Sequence, residues 1–128
     1  KHTPDGVYID DVGVGGGVVD RLKEQKISNI HGINVGKRAS DPEKFVNLRA
    51  EYFDYLREQF EANKISIPND QQLIAQLTGI RYDFTSTGQM RLEGKETLRR
   101  RGLPSPDKAD AVMLAFSPHD KRPIISVW

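Results

Sequence analysis

Apolar residues fall on two rhythms along this chain, one suited to strands and one to helices. Val7-Tyr8-Ile9 is a short β-prone run that enters Asp10-Asp11 and then Gly13, Gly15, Gly16 and Gly17, which predicts a strand opening into a flexible loop. Val18, Val19 and Leu22 recur at helical spacing to about Lys26, and Ile30, Ile33 and Val35 predict a second, largely buried strand closed by Gly36. A strand, loop, helix, strand order implies that the two strands pair in parallel. The clearest helix is expected from Pro42 to about Asn63, packed across the sheet. Asp41 can cap it, Pro42 suits its first turn, and Phe45, Leu48, Tyr52, Leu56 and Phe60 share one apolar stripe. Ile65-Ser66-Ile67 predicts a short strand stopped by Pro68, after which Asn69 or Asp70 caps a helix through Leu73, Ile74 and Leu77 to Gly79. Ile80 to Thr85 and Gln89 to Leu92 flank Ser86-Thr87-Gly88 as a hairpin. Ser105-Pro106 opens a last helix, Asp107 to about Phe116, ahead of Pro118 and an apolar tail, Ile124-Ile125-Ser126-Val127-Trp128. The expected class is α/β, with a mixed sheet flanked by helices.

At 128 residues there is room for one domain, because two would each be too short to offset chain entropy comfortably. A composition of 37% hydrophobic and 29% charged residues suits a soluble globular domain. No apolar run approaches the roughly 18 residues of a spanning helix. The opening Lys1-His2-Thr3-Pro4-Asp5 lacks the apolar core of a signal peptide, so a cytoplasmic location is expected. The absence of cysteine excludes disulfides and thiolate metal sites. A net charge of +1 supplies no global attraction to nucleic acid, so any such contact must come from local clustering. One cluster exists: Arg91, Lys95, Arg99, Arg100 and Arg101 against Glu93 and Glu96, with Lys108 following.

Three aspartates stand where backbone geometry would present them: Asp10 at a strand end, and Asp107 and Asp110 in the first turns of a helix, where a spacing of three puts them on one face. Carboxylates so arranged can hold Mg²⁺ or Mn²⁺, and two such ions about 4 Å apart serve phosphodiester cleavage. A plainer explanation competes, since acidic residues in a first helical turn are favoured by the macrodipole and Asp before Gly is ordinary turn chemistry. Spacing alone leaves both open. The glycine cluster is not a dinucleotide loop, because G-x-G-x-x-G needs glycine where Val18 stands. No G-x-x-x-x-G-K-[ST] occurs, so an ATPase P-loop is absent from these residues. His2, His31 and His119 are scattered and read as surface or satisfied histidines.

The run from Tyr8 through Asp10 and Gly13-Val14-Gly15 to Leu22 resembles the segment of phage terminase large subunits in which a strand ends in a metal-binding Asp followed by Gly-x-Gly and a helix. Gly32-Ile33-Asn34-Val35-Gly36, Asn47-Leu48-Arg49-Ala50-Glu51 and Ile65-Ser66-Ile67-Pro68 resemble successive stretches of the same domain. Lys95-Glu96 with Arg100-Arg101-Gly102-Leu103-Pro104-Ser105-Pro106-Asp107-Lys108-Ala109-Asp110-Ala111 is similar to its closing motif. The resemblance implies a partial ribonuclease H-like fold and a divalent-metal-dependent endonuclease that cuts concatemeric phage DNA with Mg²⁺ or Mn²⁺. It implies Asp10, Asp107 and Asp110 as metal-binding catalytic residues, without ranking Asp107 against Asp110. Lys95, Arg99, Arg100 and Arg101 are then candidates for double-stranded DNA contact. Expected partners are the terminase ATPase domain, the small subunit and the portal, in the cytoplasm of a bacterial host.

In that fold a first metal-binding Asp lies on strands ahead of the one matching Val7 to Asp10, and six residues at roughly 3.3 Å each cannot supply them. The expectation is therefore that the isolated chain cuts weakly or not at all and pairs with a second copy to cover exposed edges. The alternative from another class is an inactive prophage-derived fragment that only binds DNA or the motor.

Overall fold

The computed structural model describes residues 7–10 and 30–118, with the backbone alone at 7–10, 30 and 31. The helix expected over Val18 to Lys26 and the tail Ile124 to Trp128 lie outside the described residues, as do His2 and His119. Two strands, β1 (Val7–Asp10) and β2 (Ile30–Ile33), pair in parallel with Val7 opposite Ile30 and Asp10 opposite Ile33. The expected parallel pair is therefore present.

The long helix starts later than its apolar stripe suggests. Helix α1 spans Leu48–Glu61, and its cap is Asn47, whose side chain accepts from the Ala50 N–H at 3.0 Å. Asp41 and Pro42 instead form an isolated turn, with the Lys44 and Phe45 N–H groups both donating to the Asp41 carbonyl at 3.1 Å. The cause is tertiary. Met90 donates to the Lys44 carbonyl at 2.7 Å and accepts from Val46 N–H at 3.1 Å, which draws this segment into a bridge beside a later strand. Phe45 thus leaves the helical stripe, while Tyr52 and Leu56 stay buried on it. At the other end Asn63 takes φ 57°, and Lys64 N–H reaches back to the Gln59 carbonyl at 3.0 Å. That left-handed residue is a standard helix stop.

Ile65-Ser66-Ile67 forms no strand, contrary to its pattern. Ile65 packs on the core instead. A strand needs a ladder partner for its N–H and C=O groups, and none adjoins it among the described residues.

Helix α2 (Gln71–Gly79) is capped by Asp70, which accepts from Gln72 N–H at 2.9 Å and Leu73 N–H at 3.2 Å. The hairpin pairs β3 (Tyr82–Phe84) with β4 (Met90–Leu92) antiparallel, turning at Gly88, whose φ of 87° suits a residue without Cβ. The basic segment contains a short helix that its charge pattern did not reveal, α3 (Lys95–Arg100), closed by Gly102 at φ 78°. Helix α4 (Asp107–Ala115) is the last described element. Among the described residues no helix is long and apolar enough to cross a membrane.

Val35, Tyr52, Leu56, Met113 and Leu114 make the core, with Ile33, Leu48, Phe60 and Leu77 packed against it. Helix α4 runs through its centre, touching α1, α2 and β1. The backbone packed on the parallel pair is therefore α4, while α1 lies against α4 and β4. This corrects the expected placement of the long helix across the sheet. At this contact α4 is deeply buried, with Ala109 0% exposed and Met113 1%. Small and flexible apolar residues allow the close approach.

Candidate active site

Placing α4 against β1 brings the helix carrying Asp107 and Asp110 beside the strand that ends in Asp10. Asp10 stands at the carboxyl end of β1, opposite Ile33, and its side chain lies outside the described residues. Asp107 and Asp110 differ sharply. Asp107 is exposed and accepts a hydrogen bond from Ser105 Oγ at 2.7 Å. Asp110 is only 16% exposed, with Arg49 Nη2 3.7 Å from its Oδ1 and Lys95 Nζ 3.6 Å from its Oδ2.

Arg49 escaped the sequence reading as a site residue. It projects from the first turn of α1, 13% exposed, donates through Nη1 to the Glu93 carbonyl at 3.0 Å, and lies over the Phe53 ring at 5.1 Å. These contacts hold the guanidinium in place while it faces Asp110. A signal was present: Arg49 is a lone charge at helical spacing from Tyr52, Phe53 and Leu56, on an otherwise apolar stripe. Lys95 is half exposed and opens α3, so the Asp110 carboxylate meets one fixed cation and one movable cation.

The four candidate DNA contacts separate. Arg99 is 75% exposed and pairs with Glu96 at 3.0 Å, and Arg100 is also exposed. Arg101 turns inward. It reaches Glu93 Oε1 at 2.6 Å, Glu93 Oε2 at 2.7 Å and the Gly79 carbonyl at 2.8 Å. The Arg101 guanidinium holds the Glu93 carboxyl below the usual carboxylate range. Arg101 therefore fastens α3 to the end of α2 and to Glu93, the residue just after β4, which leaves less of it for a phosphate.

Every candidate donor to a cation here is a carboxylate oxygen, the hard ligand that divalent Mg²⁺, Mn²⁺ or Ca²⁺ prefers. Among the described residues no group of three His, Cys, Asp or Glu side chains stands together to hold a metal. Asp110 fits as one ligand of such an ion, and a full set would draw on the end of β1, where Asp10 stands.

The elements and their order make a mixed α/β domain whose fold is similar to that of a terminase nuclease domain. No family model matches the chain, and no curated protein matches it. Among solved structures it is similar to the nuclease domain of the large terminase subunit of bacteriophage Sf6. A lysine-to-alanine mutant of that domain with calcium superimposes with a TM-score of 0.66 at 22% identity, over 85% of this chain. The domain without that substitution gives 0.58 at 23% identity, and the mutant with manganese 0.59 at 22%. This chain spans 63% of the length of the calcium-bound neighbour.

Proposed function

We propose that this chain is the greater part of a divalent-metal-dependent endonuclease domain of a phage DNA-packaging terminase, cutting concatemeric double-stranded DNA. The observation that carries the reading is the half-buried Asp110 carboxylate, set between Arg49 and Lys95 on the helix that packs against the strand ending in Asp10. The fold likeness to a nuclease domain solved with calcium and with manganese supports it.

In this reading Asp110 and Asp10 hold Mg²⁺ or Mn²⁺, and Asp107 contributes from the rim. Bound metal would supply an activated water and charge stabilisation for the leaving oxygen. Arg49, 3.7 Å from Asp110 Oδ1, fixes the orientation of that carboxylate. Lys95, Arg99 and Arg100 present positive charge toward the phosphate backbone, the sequence-independent term in DNA binding. The terminase ATPase domain, small subunit and portal are the partners this function requires, in the cytoplasm of the bacterial host.

The test is nicking of supercoiled plasmid in Mn²⁺ by the chain in its natural reading frame. Asp110→Asn and Asp10→Asn should each lower the rate by about three orders of magnitude, the scale of several kcal/mol of lost metal stabilisation. Cleavage that survives both substitutions would overturn the reading, and DNA binding without any cleavage would support a binding module instead.

A further inference from the structure

The helix that carries both aspartates begins without a cap of its own. The first N–H groups of any helix lack intrahelical acceptors, and they are normally met by a Ser, Thr, Asp or Asn side chain just ahead. Ahead of α4 the cap position is Pro106, which offers no side-chain acceptor. Ser105, the nearest hydroxyl, is turned to Asp107 instead. The acceptor comes from another helix: Gln76 of α2 takes the Lys108 N–H at 2.8 Å and the Ala109 N–H at 3.0 Å on one oxygen, Oε1. A second tether lies beside it, where Lys108 Nζ donates to Asp70 Oδ2 at 2.7 Å.

We infer that Gln76 is a positioning residue for Asp110, which fixes the first turn of α4 against α2 and thereby the place of the carboxylate among its cations. Asp110 follows Ala109 directly, and its own N–H donates to the Pro106 carbonyl at 2.8 Å, so the turn that Gln76 holds sets where Asp110 starts. Ala109 is wholly buried and Pro106 nearly so, which leaves the turn little freedom once the cap is made. Groups that orient a metal ligand typically matter by about 10- to 100-fold in metal affinity or activity, and an error of about 1 Å in a reacting geometry costs on that scale. This inference rests on the nuclease reading of Asp110.

The experiment compares Gln76→Met, which keeps the size and removes the acceptor, with Gln76→Glu, which keeps an acceptor oxygen. Leu77→Ala, a packing change on the same helix, controls for simple destabilisation. Three quantities are read in the full-length protein: Mn²⁺ affinity by titration without DNA, amide exchange at Lys108 and Ala109, and plasmid nicking. Gln76→Met should weaken Mn²⁺ affinity by about 10-fold or more and speed exchange at both amides, with Gln76→Glu restoring both. Leu77→Ala should lower the melting temperature and leave Mn²⁺ affinity in place. Unchanged affinity in Gln76→Met, failure of Gln76→Glu to restore it, or an equal loss in Leu77→Ala would overturn the inference. In the same assays Asp110→Asn separates the two claims: if it abolishes Mn²⁺ binding while Gln76→Met does not alter it, the inference fails and the nuclease reading stands. If Asp110→Asn leaves binding and nicking intact, both fall.

Discussion

Asp107 and Asp110 lie three residues apart on one helix, yet they occupy different electrostatic worlds. Asp107 sits in the first turn, open to water, satisfied locally by Ser105. Asp110 sits one turn further in, where α1 and α3 bring Arg49 and Lys95 within 4 Å. Solvent screens a charge at the first position, whereas burial at the second shields the interaction from that screening. The difference teaches that a motif supplies candidates, whereas the neighbours from other elements decide which candidate has an environment fit for chemistry.

The largest expected effect would separate the pair. Asp107→Asn should slow Mn²⁺-dependent nicking by less than about 10-fold, against about three orders of magnitude for Asp110→Asn. Equal losses in single-turnover assays would mean that both carboxylates act as ligands and that their exposure is a poor guide.

Next in size is the fixed cation on the Asp110 side. Arg49→Met loses the bond to the Glu93 carbonyl, the contact with Phe53 and the partner of a half-buried carboxylate. A cost of about 2–4 kcal/mol in urea unfolding is expected, while Arg99→Gln on the open face should stay within about 0.5 kcal/mol. A small loss at Arg49 would show the two environments to be energetically alike.

A third measurement compares outward and inward arginines. Neutralising Arg99 and Arg100 together should reduce the slope of log affinity for DNA against log salt by about 2, whereas Arg101→Gln should leave the slope near its original value and lower stability. The reverse pattern would place the phosphate at Arg101 and dissolve the distinction.

The smallest effect concerns the tether at the Asp107 end. The hydrogen bond from Lys108 holds the Asp70 carboxyl below its ordinary range, helped by the Leu73 N–H. A carboxyl whose folded value is lowered contributes stability that is complete above its unfolded value and disappears as pH falls through the folded one. The stability gap between the parent chain and Lys108→Gln should therefore be constant near neutral pH and close in acid, and a gap that persists below the carboxylate range would rule out this pair as its source.

The elements were largely legible because their signals are local. The Asp70 cap, the Gly88 turn and the helix at Asp107 each follow from residues adjacent in the chain, and the parallel pairing of Val7 to Asp10 with Ile30 to Ile33 follows from the order of elements. Where local signals competed with distant partners they misled. Phe45 sits at helical spacing but is claimed by Met90, and Ile65 to Ile67 alternates like a strand, but Ile65 packs on the core and no strand pairs with the segment among the described residues. The short helix at Lys95 was hidden because its charges carry no apolar period.

An α/β chain and a short roster of carboxylates and basic residues were readable from the residues alone, since propensity, capping and periodicity act over a few residues. That α4 lies on β1, that Arg49 reaches Asp110 and that Gln76 caps a helix 32 residues away emerged only from the folded chain. Those contacts depend on how buried apolar faces stack, and stacking joins residues whose separation along the chain carries no local trace.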